Sequence, residues 1–175
     1  LMGILLQIVN AALIIGGQAV SASMGLSMAN MVDPSMGNVP VIAQFFVICS
    51  TLIFLGLGGH VLVISLLLES FEFLPINSAL DLQGLLKLTI EWSAMMFVGA
   101  ILIGLPLMAS LLFINIGLGV ITRTAPALNI FAVGFPAMIL AGIVLLSLSM
   151  TSIGYRIQWL WQESFEIIGQ ALGIR

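Results

Sequence analysis

A chain of 175 residues with 61% hydrophobic residues, 6% charged residues and a mean hydropathy of +1.28 cannot cover a water-facing surface. Soluble domains carry about 25% charged residues, so the composition excludes one and predicts an all-α integral membrane protein. Four basic and seven acidic residues leave a net charge of −3, which excludes a basic surface for nucleic acid.

The chain opens on "LMGILLQIVN", apolar from the start, with neither a basic leader nor a small-residue cleavage site. It reads as a helix already under way, with an upstream portion expected. Uncharged runs cover 1–32, 34–68, 92–122 and 124–155. About 20 residues rising ~1.5 Å each cross a ~30 Å bilayer core, so every run is long enough. Four long helices are predicted, roughly 1–31, 41–69, 84–122 and 127–155, with an amphipathic helix at 157–173. The third run would measure ~46 Å if straight, so bends are expected among Gly99, Gly104, Pro106, Gly117 and Gly119.

Between the first two helices lies "MGLSMANMVDPSMGNVP" (24–40), soft rather than charged. Met24, Met28 and Met31 stand at i, i+4 and i+7, on one helical face. Asp33 precedes Pro34 and is pushed out of the α region, which ends the helix. Met36 and Gly37 follow in a loop, and Pro40 restarts the chain. Two readings of 27–42 stay open: an extramembrane loop whose methionines are filler, or a plug in a shared cavity. Non-helical backbone among membrane helices survives only when buried in protein or lining a cavity, and methionine fills irregular gaps.

His60 follows "GLGG", where a ring bonded to a carbonyl freed by Gly56, Gly58 and Gly59 is favoured over a proton relay. Its nearest acid, Glu69, lies about two and a half turns away. Residues 69–91 hold five of the eleven charged residues, so that connection faces water or polar protein. Ser110 and Asn115 are expected to bond between helices. Arg123 and Pro126 form the tip of a helical hairpin, with Arg123 as its anchor. In the final helix Ile157, Leu160, Trp161, Ile167, Ile168 and Leu172 share a face, and Trp159 and Trp161 suit an interface. The 18 glycines permit close helix approach, as in a subunit packed tightly against others.

Metal-ligand clusters, phosphate loops and nucleophile turns are absent, so no catalytic residue, cofactor or metal is expected. Cys49 is the single cysteine and cannot form an internal disulfide. The rival to a multi-subunit assembly is a small secondary transporter or channel with His60 and Glu69 on its route.

Four blocks carry a resemblance: "MGLSMANMVDP" (24–34), "GHVLVISLLLESFEFLP" (59–75), "TRTAP" (122–126) and "IFAVGFP" (130–136). In this order they resemble the FliR family, the flagellar counterpart of the SctT proteins of type III secretion. The resemblance runs from about residue 16 to 145 and implies that the chain is the latter two thirds of a family member. It departs from the family pattern at Gln18, Ser23 and Gly58, and no polar role is carried over to those positions.

The resemblance implies long kinked helices arranged as hairpins in a hetero-oligomeric export gate at the flagellar basal body, in the bacterial inner membrane. The implied partners are FliP, FliQ and FlhB homologues, inner-membrane lipid, and unfolded flagellar proteins as the export substrates. It also implies a plug built from 27–42 and a FliQ-like hairpin over 84–155 with a cytoplasmic tip at Arg123. Counting lysines and arginines would instead put Lys87, Arg156 and Arg175 in the cytoplasm. The family orientation is followed, because helices shielded by sister subunits need not obey a rule for insertion into lipid.

Overall fold

The computed structural model describes residues 1–26, 40–73, 82–124 and 130–173, and among these every regular element is a helix. In chain order they are α1 (Met2–Ser23), α2 (Val41–Gly56), α3 (Gly59–Phe73), α4 (Leu82–Ser93), α5 (Met95–Thr124) and α6 (Ile130–Ala171). Three stretches are long and apolar enough to cross a membrane, or four if the bent pair α2–α3 is one span. This is an all-α membrane protein.

Helix α1 is the axis of the bundle, and its packing partners follow from side-chain size. Gly16 lies against Ala100 of α5, where an added Cβ would sit 3.1 Å from the Ala100 carbonyl oxygen. One residue on, Gly17 lies against the backbone of Ala43 in α2. Gly99 of α5 admits both Ala12 and Leu160, and Gly104 faces Gly16. Lipid tails are as apolar as leucine, so close backbone approach and dispersion supply what hydrophobic drive cannot.

The same contacts fix direction. Leu5 meets Trp92, Ala12 meets Gly99 and Gly16 meets Gly104, so α1 and α4–α5 run parallel. Gly99 meets Leu160 while Gly25 meets Phe135, so α6 runs antiparallel to both. Helix α2 descends from the Gly17 crossing to an aromatic cluster near the other end, where Phe54 lies 4.7 Å from Trp161 and 6.1 Å from Phe165 between ring centroids. The C-terminal end of α1, the start of α2, the end of α5 and the start of α6 thus share one end of the bundle. Two indoles tie down the other. Trp92 donates to the Leu5 carbonyl at 3.1 Å, and Trp161 donates to Ser50 Oγ at 2.9 Å.

Several boundaries differ from the residue pattern. Where one helix is predicted over 1–31, α1 stops at Ser23, because Gly25 takes φ +78° and caps it in the left-handed region. Where one is predicted over 41–69, Gly58 at φ +71° breaks the chain and α3 leaves at 65° to α2. Gly59 accepts that bend because a Cβ there would meet the Phe54 ring and carbonyl. The helix predicted over 84–122 is interrupted at Ala94, while α5 continues through Pro106. Ser110 bonds back within its own helix, donating to the Pro106 carbonyl at 2.8 Å, instead of bonding across helices. The predicted helices 127–155 and 157–173 are one 42-residue helix, since neither Arg156 nor Gly154 interrupts its backbone. Trp161 is buried in the core, whereas Trp159 is exposed.

Among its described side chains helix α3 keeps only Gly59 buried, and it packs mainly on α2. The chain exposes 10743 Å², against about 8,200 Å² for a folded monomer of its mass. Phe113 and Leu148 are three-quarters exposed. Surface of that kind is stable only in contact with lipid or other protein.

Candidate functional site

The site grows from the end of α1. Met24 N–H donates to the Val20 carbonyl and Gly25 N–H to the Ala22 carbonyl, both at 3.0 Å. Met24 is buried, and its thioether fills the gap left by the missing side chain of Gly142 in α6, whose added Cβ would lie 2.9 Å from Met24 Sδ. Gly25 then faces the Phe135 ring, which a Cβ added there would meet at 3.5 Å. Beside this pivot lies a cavity of about 300 Å³, walled by Ser23 of α1, Met24 and Gly25 just beyond it, Asn115 and Leu118 of α5, and Phe135 and Met138 of α6. Ser23 Oγ is committed to the Ala19 carbonyl at 2.9 Å, so Asn115 brings the amide dipole to an otherwise apolar wall.

The segment's return is anchored as well. Pro40, half-buried at φ −73°, caps α2 and accepts from Gln44 N–H at 2.9 Å. Three residues later Ala43 meets Gly17. Both ends of the methionine segment are therefore held by the glycine-packed bundle. Met28, Met31, Asp33, Pro34, Met36 and Gly37 lie outside the described residues, as does Pro126. Helix α1 ends at Ser23, and the helical face predicted for Met24, Met28 and Met31 falls outside the described residues beyond Leu26. Met24 is an internal wedge.

Arg123 is exposed in the last turn of α5, where a cation suits the helix dipole. It stands five residues beyond Leu118, so roughly 7.5 Å past the cavity at the same end of the bundle. His60 and Glu69 are both exposed on α3, about 13 Å apart along its axis, and nothing brings them together. No hydrogen bond to the His60 ring is found among the described residues, so the predicted carbonyl bond is not made there. Gly142, Phe135 and Asn115 complete the site and carry no sequence signal linking them to Met24. The described residues hold no cluster of three metal-ligating side chains.

Residues 1–164 match the family described as "Bacterial export proteins, family 1". The chain belongs to that family. Among curated relatives, the flagellar biosynthetic protein FliR of Escherichia coli strain K12 is 35% identical over 173 residues, 98% of this chain and 66% of its own length. FliR of Pectobacterium carotovorum is 34% identical over 172 residues, again 98% of this chain and 66% of its own. FliR of Bacillus subtilis strain 168 is 31% identical over 157 residues, 87% and 60% respectively. The chain thus spans just under two thirds of these relatives, and the resemblance carried by its four sequence blocks holds.

In this family member the pivot can be tested directly. Gly25→Ala forces a Cβ into the left-handed region and toward Phe135, which is expected to cost about 1–2 kcal/mol. Gly25→Asn, a residue that visits that region more readily, is expected to lose less. Thermal unfolding of the detergent-purified protein measures both, and equal stability of Gly25→Ala and wild type would contradict the assigned conformation.

Proposed function

We propose that the chain is a core subunit of the flagellar type III protein export gate. With FliP and FliQ, and joined by FlhB, it forms a closed pore in the bacterial inner membrane through which unfolded flagellar proteins leave. Membership of the export family supports this reading, and so does the naming of its relatives as flagellar biosynthetic proteins. The observation that carries the gating role is the anchoring of segment 27–39 at both ends. Met24 is wedged at Gly142 before it, and Pro40 is braced by the Gly17–Ala43 crossing after it. A soft, methionine-bearing segment between fixed points can close a lumen and be displaced without breaking ion pairs.

In this reading the hairpin over 84–155 is the FliQ-like portion, with Arg123 at its cytoplasmic tip, and the export path needs no catalytic residue. Deleting Ser35–Val39, or exchanging Met28 and Met31 for serine, is expected to leave assembly intact and raise the resting ion leak. Conductance of the reconstituted gate measures it. A leak equal to that of the intact gate would remove the plug. Purification as a large hetero-oligomer separates this reading from a transporter that works alone.

A further inference from the structure

We propose that the cleft between α5 and α6 around Arg156 binds the phosphate of an anionic phospholipid. A cavity of about 370 Å³ is lined there by Leu102 of α5 and by Ser152, Tyr155, Arg156 and Trp159 of α6. Its lining combines one guanidinium and two hydroxyl-bearing side chains with a largely apolar wall. Arg156 is half-buried and has no carboxylate partner among the described residues, where the one ion pair is Lys87–Glu91. A partly desolvated guanidinium seeks an oxyanion, and its paired N–H groups fit phosphate oxygens two at a time.

Depth identifies the phosphate as lipid. Helix α6 is uncharged from Ile130 to Tyr155, a rise of about 39 Å, close to the ~40–45 Å between headgroup layers. Arg123 stands near one end of that run and Arg156 at the other. Tyr155 and Trp159 flank Arg156 as interfacial aromatics do. From this point toward the middle of the span, Leu105 of α5 and Leu148 of α6 are more than half exposed, a surface suited to acyl chains. No carboxylate lines the cleft to receive the ammonium of a zwitterionic headgroup, so phosphatidylglycerol is preferred over phosphatidylcholine.

Brominated lipids read this out through Trp159, which is exposed at the cleft while Trp92 and Trp161 are buried. The complete protein, purified with the subunits that accompany it, is titrated with brominated phosphatidylglycerol or brominated phosphatidylcholine. Quenching lost in Trp159→Phe isolates the local signal. Phosphatidylglycerol is expected to act at roughly tenfold lower concentration, because both lipids offer the phosphate but the choline ammonium opposes the guanidinium. Arg156→Gln is expected to abolish that preference, and Arg156→Lys to keep part of it. Three results would overturn the proposal. Arg156→Gln titrates as wild type does; millimolar inorganic phosphate displaces the lipid, marking a free-anion site; or no lipid quenches Trp159 in the assembly, marking a face covered by a neighbouring subunit.

Discussion

Gly17→Ala is expected to destabilise the fold by about 3 kcal/mol, the upper end of the cost of overpacking a well-filled interior. The new Cβ would fall on the Cα of Ala43, 2.7 Å from its backbone nitrogen and 2.8 Å from its own Cβ. Backbone cannot rotate away as the end of a side chain can, so α1 and α2 must separate along their crossing. Trimming Ala43 to glycine in the same protein is not expected to restore stability, because the conflict with its Cα and nitrogen remains. Gly3→Ala is the control: a Cβ there meets nothing within 4 Å, and a change within about 0.5 kcal/mol is expected. Thermal unfolding in detergent ranks the three proteins. Should Gly17→Ala melt with Gly3→Ala, the close approach of α1 and α2 would be refuted.

Trp161→Ala is expected to have an effect as large, about 3–5 kcal/mol for an aromatic removed from a packed interior. Its ring stacks at a tilt on Phe54 and lies 6.5 Å from Phe165, joining the end of α2 to α6. Its indole N–H also satisfies Ser50 Oγ, which is fully buried. Trp161→Phe keeps much of the packing and strands that hydroxyl, at a cost of about 1–3 kcal/mol. Ser50→Ala strands the indole instead, so the two single changes and their double form a cycle that isolates the bond. A phenylalanine variant as unstable as the alanine variant would mean that packing contributes nothing beyond the hydrogen bond.

Membrane class and helical content were legible in the residues because both follow from the near absence of charge. So was the arrangement that brings the methionine segment and Arg123 to one end, since alternating crossings require it. The early stop of α1 was not. Glycine is tolerated in a membrane helix as well as in a left-handed cap, and the Phe135 ring beneath Gly25 lies in another helix. The bend at Gly58 was hidden in the same way within "GLGG". The continuity of α6 was missed for the opposite reason: Arg156 resembles a boundary by charge although its backbone is ordinary helix. Trp161 resembles an interfacial residue by type, and only the fold gives it Phe54 and Ser50. Of the candidate site, Met24 could be named from spacing, but not its socket at Gly142, because a missing side chain announces no partner.

The unbroken length of α6 has a consequence for the membrane around it. A helix of 42 residues, about 63 Å long, cannot shorten to suit a thinner bilayer. Its tilt is set by packing on α1, α2 and α5, which limits how far it can lean to shorten its span, so the lipid must adjust instead. The protein then acts as a gauge of hydrophobic thickness, favouring regions that match it and deforming those that do not.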